Sequence, residues 1–206
     1  MKKIIILNLT LAITIYCSGQ EKKEHYNPKA IEMNNKAAKL MQIGKNDSAL
    51  ILFDKAIEID KTYYLAHSNK IGIYLDKKDL DKALIESEKC LALKPDYVEG
   101  WTLAGLLYDT KGKSSKALNC YNKSIELLDK SIADPNKKNN IKSNRASRAV
   151  SLILMGKETE GKNELRKLKS EYPDMIGLDE LLKINKKDYL KLMAAKLKPN
   201  RPTTHN

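Results

Sequence analysis

Apolar residues in the middle of the chain recur at helical spacing. Leu50, Phe53 and Ile57 form one run, Leu84 and Leu91 a second, and Leu118, Tyr121 and Ile125 a third. Steps of three, four and seven place each set on one face of a helix. The runs are themselves periodic. Ala49, Ala83 and Ala117 stand 34 residues apart, and so do Phe53, Ser87 and Tyr121, and Tyr74 and Tyr108. A period of roughly 20–50 residues is the signature of stacked supersecondary units. Such arrays offer an extended surface to a partner rather than a single cleft.

The period aligns residues 30–63, 64–97 and 98–131, and a fourth unit at 142–175 after a ten-residue slip. Position 8 of the units reads Ala37, Ile71, Gly105 and Ala149, and position 20 reads Ala49, Ala83, Ala117 and Gly161. Small residues there let two antiparallel helices approach closely. Position 11 (Leu40, Tyr74, Tyr108, Leu152) and position 24 (Phe53, Ser87, Tyr121, Leu165) fill the layer beside that contact. Gly44, Gly112 and Gly156 fall at the turn inside a unit, where positive φ is often required. Pro95 and Pro173 end second helices. Gly161, inside a helix, is expected to cost about 1 kcal/mol against alanine.

The third unit carries the fullest pattern, with Trp101, Gly105, Tyr108, Ala117 and Tyr121. On these residues the chain resembles the tetratricopeptide repeat family over residues 30–175. The resemblance implies an all-α fold: a right-handed α-solenoid of helix-turn-helix units with a C-terminal capping helix. Two positions depart from the family. Position 7, usually large and apolar, is Lys36, Lys70, Ala104 and Arg148, and position 4 is Met33, His67, Trp101 and Arg145. His67 reads as a packed histidine rather than a ligand.

The ends are organised differently. Lys2 and Lys3 precede an apolar stretch from Ile4 to Tyr16, the pattern of a signal peptide over residues 1–19 and too short to span a bilayer. Cleavage after Gly19 is one outcome. Lipidation of Cys17, followed by Ser18-Gly19-Gln20, is the other, although Tyr16 is bulky for that pattern. Either places the mature chain outside a bacterial cytoplasm, periplasmic or secreted in the first case and anchored to the outer membrane as a lipoprotein in the second. Residues 20–29 read as a polar tether, with Asn27 and Pro28 starting the first helix. Residues 132–141 are an insertion, a loop or a helix extension. Residues 176–197 carry one apolar face, including Leu178, Leu181, Leu182, Tyr189 and Leu192, and read as the capping helix. Residues 198–206 read as a disordered tail.

Net charge is +12, and subtracting Lys2 and Lys3 leaves +10 for a chain starting at Gln20. The excess gathers at 136–148 (Lys137, Lys138, Lys142, Arg145, Arg148) and at 183–206. Attraction to an anionic membrane or another envelope polyanion is one consequence. A lysine-rich composition spread over solvated faces is the other. No nucleic acid is expected, since arginines are few and no aromatic cluster is available for base stacking. Cys90 and Cys120 read as buried small residues rather than a disulfide pair. No phosphate loop, zinc spacing or nucleophile elbow is present, so no cofactor or metal is expected and the chain reads as a non-enzyme. The carboxylates Glu86 and Glu88 read as solvated.

In the family the first helix of each unit lines the ligand groove. By that resemblance the partner-binding residues are Asn34, Met41 and Gln42 in unit one and Ser68 and Asp76 in unit two. In unit three they are Glu99, Thr102, Asp109 and Thr110. The set is mildly apolar with an acidic centre. The clamp by which one subfamily grips chaperone tails is not expected: Asn34, Ala38 and Glu99 stand where it needs lysine, asparagine and a basic residue, and only Asn69 matches. The chain is therefore expected to be a protein-interaction adaptor of the bacterial envelope, the alternative being peripheral polyanion binding through the basic C-terminal region.

Overall fold

The computed structural model describes residues 25–197, and every regular element there is helical. The signal segment with Cys17, residues 20–24 of the tether and the tail lie outside the described residues. Residues 25–95 form one compact unit and residues 96–189 a second.

The first unit contains α1 (Pro28–Gln42), α2 (Asn46–Ile59), α3 (Tyr64–Asp76) and α4 (Leu80–Leu93). Helix α1 starts where the Asn27 side chain accepts from the Lys29 amide at 2.9 Å, with Pro28 in the first turn. The Asn27 amide is itself held by the Asp60 carboxylate at 2.9 Å, which ties the entry of α1 to the end of α2. Helix α1 packs on α2, and α3 on α4, as hairpins. Ala37, Ala49, Phe53 and Ala56 are fully buried between them, joined by Tyr63, Ala66 and Ile73. The alanines let the helices close, and Phe53 fills the layer beside them, which is what positions 8, 20 and 24 demanded.

The turn positions show why one residue type recurs. Gly44, Gly112 and Gly156 have φ of +76°, +71° and +102°. Unit two keeps the same left-handed turn at Lys78, with φ of +63°, the one positive-φ non-glycine residue among the described residues. Left-handed backbone costs an L-residue roughly 1–2 kcal/mol. Lys78→Gly is therefore expected to raise the unfolding free energy by about 1 kcal/mol, read by urea denaturation. A loss of stability would mean that the Lys78 side chain contributes more than its backbone costs.

Position 7 of unit two explains its own departure. Lys70 is buried, and its ammonium lies 2.7 Å from Asp54 Oδ1 and 3.2 Å from Glu86 Oε1. His67 Nδ1 donates to Glu86 Oε2 at 2.6 Å. Glu86 is thus not solvated as expected but 5% exposed, the acceptor at the centre of a cluster from α2, α3 and α4. Glu88, two residues on, is exposed. Burial alone would raise the Glu86 carboxyl, but the His67 hydrogen bond and the Lys70 charge outweigh it and hold the group down to about 2.

The second unit contains α5 (Val98–Thr110), α6 (Ser114–Ala133), α7 (Ile141–Met155), α8 (Glu158–Glu171), α9 (Leu178–Leu182) and the first turn of α10 (Lys186–Leu197). The ten-residue slip is absorbed by continued helix. Helix α6 runs 20 residues against 14 in α2, and a 3-10 segment, Pro135–Asn140, leads into α7. On the extension, the Ser131 hydroxyl accepts from Asn144 Nδ2 at 2.9 Å, and Asp129 pairs with Arg148.

Two close helix approaches depend on glycine. A Cβ at Gly105 would lie 2.5–2.9 Å from ring carbons of fully buried Tyr121. A Cβ at Gly161 would lie 2.4 Å from the Ala149 carbonyl oxygen and 2.7 Å from Ile153 Cγ1. Gly161 is therefore the contact between α7 and α8 rather than a helix defect.

The segment read as one capping helix divides in two. The short α9 buries Leu178 against Ala146, Ala149, Ile153, Leu165 and Leu168, with Leu181 and Leu182 beside it. Helix α10 restarts at Asn185, whose side chain accepts from the Asp188 amide at 2.8 Å and donates to the Asp188 carboxylate at 2.7 Å. That reciprocal cap ends the preceding run and sets the direction of α10.

Candidate partner-binding faces

The residues expected to meet a partner fall into both units. In the first unit, Gln42 and Asp76 are exposed, at the C-terminal ends of α1 and α3. Ser68 is half-buried, and Met41 packs against the unit's core. Asn34 is 6% exposed, and its Oδ1 accepts from Asn69 Nδ2 at 2.9 Å. The one residue that matched the chaperone-tail clamp is thus engaged with a neighbouring helix.

In the second unit most of the expected set turns inward. Thr102 Oγ1 lies 2.8 Å from Ser124 Oγ and 3.3 Å from Ser151 Oγ, which are 3.1 Å from each other. These three hydroxyls join α5, α6 and α7 inside the unit, with Ser124 and Ser151 fully buried. Thr110 Oγ1 donates to the Leu106 carbonyl at 2.8 Å. Glu99 is half-buried. On α7, Val150, Ile153 and Leu154 are core residues with 4% exposure or less.

Asp109 has a different role from the rest. Its side chain is 4% exposed and accepts from two donors: Tyr121 Oη at 2.9 Å and the Lys186 ammonium at 2.7 Å. The same ammonium stands 5.5 Å from the Tyr121 ring centroid, a cation–π distance. Burial pushes the Tyr121 hydroxyl far up, and the Asp109 charge adds to it. Tyr189, one turn beyond Lys186, is also raised by burial. The acid read as an open contact is therefore filled by the chain's own C-terminal helix. In the sequence Tyr189 reads only as part of the capping helix's apolar face, and Lys186 only as part of the basic excess at 183–206. The available signal was their i, i+3 spacing directly after an Asn-x-x-Asp cap.

The basic stretch 136–148 is also largely engaged. Arg145 pairs with Glu164 at 2.7 Å and with Glu171, and its guanidinium is raised chiefly by the Glu171 hydrogen bond. Arg148 pairs with Asp129, and the Lys142 ammonium sits 4.3 Å from the Tyr172 ring centroid. Cys90 and Cys120 are buried, and burial pushes the Cys90 thiol up to about 12. Among the described residues no three His, Cys, Asp or Glu side chains converge as a metal site would need, and no helix is long and apolar enough to cross a membrane.

The helix pairs repeat at the spacing of the sequence period, and the family model for the tetratricopeptide repeat matches residues 72–97 and 98–127. Residues 72–127 are tetratricopeptide repeats. A crystal structure of a tetratricopeptide repeat protein from Parabacteroides merdae superimposes with a TM-score of 0.54 at 23% identity, covering 84% of this chain and 62% of that one. YrrB, a tetratricopeptide repeat protein with an unusual peptide-binding site, gives 0.50 at 18% identity over 82% of this chain and 84% of its own. Among curated relatives, the heat shock protein sti1 homolog of Schizosaccharomyces pombe is 30% identical over 38% of this chain and 13% of its own length. The STIP1 homolog of Dictyostelium discoideum is 26% identical over 69% of this chain and 27% of its own. The chain thus spans well under a third of these relatives. Tetratricopeptide repeats are protein-interaction modules, and the adaptor class expected from the pattern agrees with these likenesses.

Proposed function

We propose that this chain is a non-enzymatic adaptor of the bacterial cell envelope, holding a protein or peptide segment against the first helices of its repeats. The observation that carries the reading is the tandem of helix hairpins in which Gln42 and Asp76 stay exposed at equivalent ends of α1 and α3. The likeness to YrrB, whose structure is described by its peptide-binding site, supports a peptide as the occupant. An exposed carboxylate at Asp76 favours a partner segment with basic or hydrogen-bonding groups. Recovery of such a partner from envelope extracts by the purified chain is expected to fall several-fold on Asp76→Lys. Unchanged recovery would remove that face from the reading.

The envelope location rests on Lys2, Lys3 and the apolar run Ile4–Tyr16. Mass spectrometry of the mature N-terminus is expected to find a chain starting at Gln20. A lipid on Cys17 would move the adaptor onto a membrane, and an intact Met1 terminus would defeat export.

A further inference from the structure

The α5 face at Asp109 is an occupied site. Its acceptor is a carboxylate with 4% exposure, oriented by the Tyr121 hydroxyl at 2.9 Å. Its occupant is Lys186, whose ammonium makes a charge-assisted bond of 2.7 Å to the same oxygen and lies over the Tyr121 ring. Tyr189, one turn further along α10, is half-buried. The Asn185 cap fixes the helix start, so Lys186 and Tyr189 are delivered as an i, i+3 pair. Leu178 of α9 covers the end of the last repeat, ahead of this helix. The Lys186 side chain retains 31% exposure, so the seat opens to solvent at its rim.

We propose that the Asp109–Tyr121 seat is a recognition site for a lysine carried on a helical segment, occupied in this structure by the chain's own Lys186. The C-terminal helix acts as an internal ligand. A partner segment of the same chemistry takes the seat when α10 leaves it. The site is thereby kept closed to weaker ligands, since a competitor must displace a tethered segment at high effective concentration. The inference rests on the reading of the chain as a peptide-binding adaptor, but its test uses purified components and needs no cellular partner.

Two measurements on the full chain decide it. In amide hydrogen exchange, Lys186→Ala is expected to accelerate exchange across the start of α10 at least ten-fold while leaving α7 and α8 unchanged. Unaltered exchange would show that Lys186 does not hold the helix. In the second, a fluorescein-labelled peptide of residues 183–197 is titrated against the chain and followed by anisotropy. The Lys186→Ala, Tyr189→Ala double variant is expected to bind it at least ten-fold more tightly than the native chain, and adding Asp109→Asn is expected to abolish that gain. Equal affinity for native and double-variant chains, or binding indifferent to Asp109, would overturn the site. A scrambled peptide that binds as well would reduce the effect to net charge and overturn it too. Because Lys186 and Tyr189 lie on the occupant and not in the repeat core, the double variant keeps the test meaningful if Asp109→Asn destabilises the unit. Failure of the Asp76 pull-down with success here would leave the seat intact and remove only the first-unit face.

Discussion

Glu86→Ala is expected to destabilise the chain by about 3–5 kcal/mol, the cost of breaking a buried ion pair from one side. Glu86 accepts from His67 at 2.6 Å and from Lys70 at 3.2 Å, with both partners buried beside it. Removing the carboxylate leaves the Lys70 ammonium with only Asp54, which is more than half exposed. Lys70 is held above its ordinary value despite burial, through Asp54 and Glu86, so losing Glu86 makes its charge harder to keep. The replacement also opens a cavity between α3 and α4. Thermal and urea unfolding of the variant would report the loss, and a change within about 0.5 kcal/mol, the range of ordinary surface substitutions, would show that the cluster is incidental.

The same residue gives a pH dependence with a definite sign. The Glu86 carboxyl is lowered from 4.5 in the unfolded chain to about 2 in the folded one. A depressed carboxyl stabilises the fold fully above its unfolded value and loses that contribution as pH falls toward the folded value. The native chain should therefore lose stability between about pH 4.5 and pH 2 through this group. Glu86→Gln should be less stable at neutral pH and lose less across that window. Parallel curves for the two proteins would place the acid sensitivity elsewhere.

Gly161→Ala is expected to destabilise, in the opposite direction from the rule that alanine is better than glycine in a helix by about 1 kcal/mol. The new methyl would sit 2.4 Å from the Ala149 carbonyl oxygen, a backbone atom that cannot rotate away. Helix α8 would have to move off α7 and loosen Leu165 and Leu168, both fully buried. Overpacking of this kind costs about 1–3 kcal/mol net. Ile153→Val should recover little of that loss, because valine keeps the crowded Cγ and the carbonyl contact remains. Stabilisation by Gly161→Ala would mean that the two helices are not in close contact in solution.

Gly161 shows where sequence reasoning stops. Its place at position 20 was legible, aligned with Ala49, Ala83 and Ala117, and so was the need for a small residue. That glycine rather than alanine is required was not legible, because it depends on how near α7 comes to α8. Lys70 and Glu86 teach the same lesson with charge. Along the sequence, Lys70 reads as a departure from an apolar position and Glu86 as a solvated acid. Each becomes intelligible only when α2, α3 and α4 bring His67 and Lys70 onto the Glu86 carboxylate and Asp54 onto Lys70.

The candidate partner-binding positions divide similarly. Gln42 and Asp76 keep the exposure that their positions implied. Asn34, Thr102 and Thr110 satisfy their polar groups inside the fold, since a half-buried hydroxyl or amide costs free energy unless bonded. Asp109 is claimed by Lys186, 77 residues along the chain.

What the sequence determined by itself was the repeat: helix pairs about 34 residues apart, their left-handed turns and their small-residue contacts. Those features are local or strictly periodic, so each unit restates them and a single sequence suffices. What only the tertiary structure decided was the pairing of unlike segments: the buried Glu86 cluster, the glycine-dependent approach of α7 and α8, and the seat of Lys186 on Asp109. Such contacts depend on distances between helices that no period encodes, and a charge becomes buried or open only when those distances are set.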